Sequence, residues 1–266
     1  MTESQGRVAV VTGAGQGLGR AIALDLAEAG HRVFGCSPHV VDTGAQAVGS
    51  GQLRMIACDI TQEAQVQALW DKVSGEAGRI DWWINNAGLA LTGRPLSDID
   101  GHDFARMIEI NVLGTMNACR VAIAGMRAQG LGEIWNMLGA GWDGQPVPGM
   151  NGYAASKAAL AFMTRALAAE AEGQCYGVGG LSPGLVMTEG FFREHARVPQ
   201  ANRAAREAVV NVIGDHPETI ARWVREALEA GQDNGAILSW LTPDKIARRQ
   251  AQVPPRDILS AYRGAI

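Results

Sequence analysis

A phenol and an ammonium stand four residues apart at Tyr153 and Lys157. Apolar spacing predicts a helix over residues 153–171, and positions i and i+4 share one helix face. A phenol at its free pKa of about 10 is a poor acid–base group at pH 7; a neighbouring ammonium favours the phenolate and brings it into range. With only three tyrosines in 266 residues, an accidental Tyr-x-x-x-Lys is expected in roughly 3 of 100 such chains. The pair therefore reads as a proton-transfer device.

A second constellation suits phosphate. Thr12-Gly13-Ala14-Gly15-Gln16-Gly17-Leu18-Gly19 follows a strand-like run and opens a helical one. Glycines let the backbone turn tightly and approach a pyrophosphate, while the helix N-terminus supplies N–H donors and positive dipole. In a chain with 34 glycines such a run can be a mere turn, but its place between strand and helix favours a dinucleotide. Asp59 ends the third expected strand, where a carboxylate can hold an adenine amino group, with Ile60 beside it. Asn85-Asn86-Ala87-Gly88 ends the fourth, with residues small enough for a ribose to come close. Each of these alone is more often a strand-end turn. Together they stand in the order a dinucleotide site needs.

The elements that must position these groups follow from periodicity. Short apolar runs at 7–12, 32–36, 53–57, 80–85, 133–138, 175–181 and 236–240 predict strands. Helical periods fill 18–29, 63–74, 103–127, 153–171 and 217–230. Strand–helix alternation at this spacing predicts an α/β fold, about seven parallel strands covered by helices on both faces, and right-handed crossovers make it doubly wound. No repeat or linker divides the chain, so one domain is expected over 1–242. It includes a long connection at 187–215 of the kind that forms lids or binding segments. Residues 243–266 form a polar, Arg-bearing tail with two open readings: packing on a neighbouring subunit, or mobility.

Composition narrows the function classes. Net charge is −4, with 47% apolar and 19% charged residues, and no basic cluster can track a nucleic-acid backbone. The four cysteines, Cys36, Cys58, Cys119 and Cys175, form no close pair and read as free thiols in a reducing compartment. The five histidines lack ligand spacing, so no metal is expected. No signal peptide or membrane span is expected, which predicts a soluble, cytoplasmic protein.

The turn at 12–19, Asp59, the run 85–88, Asn111, the Tyr153/Lys157 pair and Pro183-Gly184-x-x-x-Thr188 together resemble the short-chain dehydrogenases/reductases over about residues 6–240. The resemblance implies a Rossmann-type domain and an NAD(P)-dependent oxidoreductase acting on a small-molecule substrate. It implies that Tyr153 donates a proton to the reduced carbonyl, and that Lys157 lowers the phenol's pKa and binds the nicotinamide ribose. Asn111 would bend its helix and carry a proton-relay water. Thr12, Gly13, Gln16, Gly17, Leu18, Gly19, Ser37, Asp59, Ile60, Asn86, Ala87 and Gly88 would line the cofactor site. Pro183, Gly184, Val186 and Thr188 would hold the carboxamide. A homodimer or homotetramer would form on helices 103–127 and 153–171, with Ala158, Ala159 and Ala161 allowing close approach.

One departure is informative. The family places a serine about thirteen residues before the tyrosine, but here the run reads Asn136-Met137-Leu138-Gly139-Ala140-Gly141-Trp142. Three readings stay open: Tyr153 holds the substrate oxygen with a water or a backbone N–H, the reaction is not simple ketone reduction, or catalysis is lost. This run, with 80–88, 181–184 and Asn211-Val212, resembles chlorophyll b reductases, which reduce a formyl group with NADPH and also lack the serine. Those enzymes differ in carrying Asp where Leu138 stands, and their plastid members carry targeting segments. The segment Gly35-Cys36-Ser37-Pro38-His39 offers no carboxylate for a ribose diol, so NADP(H) is favoured over NAD(H). The expected activity is reduction of a carbonyl, a formyl group included, on a bulky apolar substrate lined by Met137, Gly139, Trp142 and Phe191, with Phe192 nearby. The alternatives are reduction of a C=N or C=C bond in secondary metabolism and cofactor binding without turnover.

Overall fold

Val8–Thr12 (β1) has no exposed residue, and its side chains divide by parity. Val8 and Val10 enter one apolar cluster and Ala9 and Val11 another. Such a strand must be covered on both faces. In the computed structural model, which describes residues 6–196 and 200–262, this holds for the whole sheet. Against the first face lie Glu63–Ala77 (α2) and Thr115–Gln129 (α4), through residues such as Val66, Leu69, Trp70, Val121 and Met126. Against the second lie Gly17–Glu28 (α1) and Pro217–Glu229 (α8), through Ile22, Leu26, Ile220 and Val224. Trp83, fully buried, stacks on Trp70 at 5.8 Å between ring centroids. Truncating such a ring to Ala costs about 3–5 kcal/mol.

The remaining strands are Arg32–Ser37 (β2), Ala45–Val48 (β3), Gly51–Ala57 (β4), Trp82–Asn85 (β5), Glu133–Met137 (β6), Gly177–Ser182 (β7) and Ile237–Ser239 (β10). They join β1 in an eight-stranded sheet of order β10-β7-β6-β5-β1-β2-β4-β3 among the described residues. All neighbours are parallel except β3, which runs antiparallel to β4. The fold is the expected α/β doubly wound one, with one edge strand added. The chain moves outward from β1 to β2 and β4, then returns to place β5 on the other side of β1. That reversal opens a crevice at the carboxyl ends of β1 and β5, where such sheets bind ligands.

Three segments differ from expectation. The helix expected over 103–127 is broken: Gly101–Ile108 (α3) and α4 are joined by a π-helical turn, Glu109–Gly114, containing Asn111. The long connection 187–215 is built mainly of helices, Glu189–Ala196 (α6) and Gln200–Ile213 (α7). It is framed by two short parallel strands, Leu185–Val186 (β8) and Gly214–Asp215 (β9). In the tail, Pro243–Gln250 (α9) and a turn at Leu259–Tyr262 pack on this connection within the same chain. Ile258 and Leu259 share a buried cluster with Met187, Phe191 and Val210.

Candidate active site

At the crevice, Thr12 joins two strand ends. Its Oγ1 accepts from the backbone N–H of Asn86 and of Ala87, both at 3.1 Å, while Asn86 Nδ2 donates to Thr12 O at 3.0 Å. Gly13 follows with φ +68°, and a Cβ there would lie 2.7 Å from Ala87 Cα, so only glycine lets these segments meet. Ala14 N–H then donates to Cys36 O of β2. Gln16, the N-cap of α1, is extended and its side chain leaves the helix end uncapped, so the first N–H groups keep their donor capacity. A Cβ on Gly17 would stand 3.3 Å from Thr188, so the glycine turn and the 183–188 segment face each other. Ser37 closes β2, its Oγ near Gly15.

Other cofactor candidates are placed less directly. Asp59 stands two residues past the end of β4, and its Oδ1 accepts from Thr61 N–H and Oγ1 at 2.9 and 2.8 Å. The Ile60 side chain is in the core, and its carbonyl accepts from Asn117 Nδ2. Pro183 and Gly184 link β7 to β8, Val186 is in β8, and Thr188 N–H returns to Val186 O at 2.9 Å.

The second half of the site is carried by Asn151–Glu170 (α5), which begins two residues before Tyr153. Lys157 is 4% exposed, donates from Nζ to Met137 O at 2.8 Å, and lies 5.7 Å from the Tyr153 ring centroid. Gly88 abuts the pair, its Cβ position lying 3.2 Å from Asn111 Oδ1 and 3.8 Å from Lys157 Nζ. Asn111 is fully buried and holds Leu89 by both backbone groups, at 2.7 and 2.9 Å, while its Nδ2 also donates to Ser156 Oγ. Ser156 Oγ in turn donates to Tyr153 O at 2.7 Å. The π turn thus ties the β5 loop to the first turn of α5.

Burial dominates the titrations here. It pushes Tyr153 up to about 12 and Lys157 down to about 8. A lowered phenol pKa was expected, and the structure has the opposite. The Lys157 ammonium is engaged by the Met137 carbonyl, so desolvation of the phenol outweighs it.

The expected pocket residues separate. Gly139 lies against Tyr153: a Cβ there would overlap the phenol oxygen and come within 3.1 Å of Cζ. Met137 is corrected: its side chain packs with Leu181 and Ile84 in the α1/α8 core, and only its carbonyl reaches the site. Trp142 packs on Leu138, Leu160 and Ala161. Phe191 is buried against the tail and stacks on His195 at 5.6 Å. The asparagines of 85–88 pin adjoining strands through a buried polar network below the site, whose other members, Asn136 and Thr164, sequence reading missed. Asn85 Nδ2 donates to Asn136 Oδ1 at 2.9 Å, and Asn136 Nδ2 donates to Thr164 Oγ1 at 3.0 Å. Two asparagines at the ends of adjacent apolar strands were the available signal.

This donor set fits a nicotinamide dinucleotide. An uncapped helix end faces the crevice, a buried ammonium has one protein acceptor among the described residues, and Ser37 presents no carboxylate.

Comparison with known proteins agrees. The family described as short chain dehydrogenase matches residues 7–197. Chlorophyll(ide) b reductase NOL, chloroplastic, of Arabidopsis thaliana is 31% identical over 238 residues, covering 86% of this chain and 67% of that protein. L-fucose dehydrogenase of Oryctolagus cuniculus is 34% identical over 211 residues, covering 77% of this chain and 72% of that protein. The crystal structure of levodione reductase superposes with a TM-score of 0.78 at 25% identity, covering 91% of this chain and 98% of that one. With a family match over more than half its length, the chain belongs to the short-chain dehydrogenase/reductase family and is an NAD(P)-dependent oxidoreductase.

Proposed function

We propose that the protein reduces a carbonyl group, a formyl group included, on a bulky apolar substrate, using NADPH in preference to NADH. The observation that carries this reading is the pairing of Gly139 with Tyr153: the phenol oxygen stands where a Cβ at 139 would lie, so this position just past β6 sets no side chain against the phenol. A phenol held near 12 is protonated at neutral pH. It therefore holds the proton that a developing alkoxide takes up during reduction. Lys157, charged at pH 7 with its pKa near 8, has donors left for the cofactor ribose hydroxyls. Asn111 fixes the β5 loop and, through Ser156, the start of α5. Thr12, Gly13, Gln16, Gly17, Leu18 and Gly19 would receive the pyrophosphate, with Ser37, Asp59, Ile60, Asn86, Ala87 and Gly88 around the adenosine and ribose. Pro183, Gly184, Val186 and Thr188 would hold the carboxamide. Bound NADPH supplies the hydride.

The chlorophyll(ide) b reductase likeness supports a large planar substrate, while the L-fucose dehydrogenase likeness shows how far substrates diverge at this level of identity. The reading includes a homo-oligomer. It also places the protein in the cytoplasm, although the plant relative named above is chloroplastic. The test is calorimetric and kinetic. NADPH should bind more tightly than NADH, and Tyr153→Phe should cut turnover at least ~100-fold with little change in cofactor affinity. Equal or reversed affinities, or surviving turnover, would overturn the respective part.

A further inference from the structure

The tail beyond the family match reaches the site from behind, through one carboxylate. Asp215 in β9 is 4% exposed and accepts from Trp240 Nε1 at 2.6 Å. It also accepts from Arg249 Nη2 at 2.8 and 2.9 Å and from Arg256 Nη2 at 3.0 Å. Both arginines belong to the tail. They further satisfy carbonyls at the end of α7 and the start of β9: Arg256 reaches Asn211 O, Val212 O and, in β9, Gly214 O, and Arg249 reaches Val212 O. A helix leaves its last carbonyls without intrahelical donors, and cations there also meet its dipole. The tail thus caps α7 and holds β9 together.

β9 in turn positions β8. Val186 pairs with Asp215, and Met187 N–H donates to Asp215 O at 3.0 Å. Thr188 N–H closes back on Val186 O, and Thr188 faces Gly17 across the crevice. On the outer side, Ile258 and Leu259 cover Met187 and Phe191.

We propose that Arg249 and Arg256 are positioning residues: through Asp215 they fix Val186–Thr188, and so set how well this chain recognises the nicotinamide end of its cofactor. The proposal rests on the reading of that segment as the carboxamide holder. A buried carboxylate left without partners is costly, which suits a fixed joint better than a sliding one.

The test uses Arg256→Ala and Arg249→Ala separately. Each leaves the other arginine on Asp215, so the buried charge stays paired. Calorimetry compares NADPH with 2′-phospho-ADP-ribose, which lacks the nicotinamide. Each variant should lose about tenfold in NADPH affinity, the scale of one charge-assisted hydrogen bond, with the truncated nucleotide unaffected. Amide exchange at Met187 should quicken in both variants while exchange in β1 stays unchanged. Equal losses for both nucleotides, or none, would overturn the proposal, as would unchanged exchange at Met187. Wild-type protein that binds the truncated nucleotide as tightly as NADPH would overturn it too. Wild-type protein that binds neither would instead sink the cofactor reading itself, and this inference with it.

Discussion

Lys157 is kept charged in a place that disfavours charge. Its folded pKa of about 8 compares with about 10.5 in an unfolded chain. Between those values the unfolded state binds more protons, so stability rises as pH rises from 8 towards 10.5. At pH 7 the buried ammonium therefore costs on the order of 3 kcal/mol relative to a group indifferent to burial. Lys157→Met should abolish turnover yet raise the melting temperature at pH 7, with the gain over wild type shrinking as pH approaches 10.5. Calorimetric scans at both pH values check this, and a variant less stable than wild type at pH 7 would refute it. Wild-type turnover should fall above about pH 8 as the ammonium is lost. The absent serine is also a residue-scale matter. Because a Cβ at 139 overlaps the Tyr153 oxygen, Gly139→Ala and Gly139→Ser should both lower kcat/KM at least ~10-fold, on bulky and small carbonyls alike, by displacing the phenol. If Gly139→Ser instead outperforms wild type on small ketones, the ring has yielded and the hydroxyl acts as a donor.

The π turn at Glu109–Gly114 lets an element, and not only a side chain, shape the site. An extra residue in the turn is the usual mark of a functional constraint, and here it brings Asn111 onto both backbone groups of Leu89. Asn111→Ala leaves those groups without partners, so thermal unfolding should show a loss of about 1–3 kcal/mol. Turnover should drop further than occupancy explains, since the β5 loop and the start of α5 lose their tie; unchanged kcat would count against this role. Apolar spacing, which runs through 103–127 without a break, carried no sign of that turn; the bend at Asn111 came only from the family resemblance. The parallel strands were legible because burial on both faces makes them continuous apolar runs, as in β1, β2 and β5. The edge strand β3, Ala-Gln-Ala-Val, is mostly exposed and carries no such signal. The glycine turn and Tyr153/Lys157 were legible from local spacing alone. Which way Met137 and Phe191 face was not, since both are simply apolar in sequence and only tertiary packing turns one into the core and the other under the tail. The tail hid its role for a related reason: Arg249 and Arg256 look like surface charge until Asp215, far away in sequence, is seen to be buried beneath them.

At the scale of the whole molecule, the sheet is covered on both faces, yet one helical surface still offers apolar area. Phe162 on α5 is 70% exposed, and Leu113 at the π turn is 48% exposed. Ala155 and Ala159 precede Phe162 at helical spacing and are exposed as well. Among the described residues no helix is long and apolar enough to cross a membrane. The homo-oligomer proposed above would seat a second copy here, because small residues beside one large ring let two helices approach with the ring between them. The expected interface shifts accordingly. Ala161 is fully buried inside its own subunit and cannot serve a partner helix, whereas Ala155, Ala159 and Phe162 can. Burying a phenylalanine is worth roughly 1.5–3 kcal/mol, and a two-fold interface gains it twice. Phe162→Glu replaces that gain with two desolvated like charges facing each other, while disturbing no core contact of the subunit. Light scattering should find wild-type protein as a dimer or tetramer and Phe162→Glu as a smaller species, with the melting temperature of the dilute variant close to wild type. Wild-type protein that stays monomeric at every concentration would show that α5 faces solvent, and an unshifted oligomer in the variant would move the interface to another face.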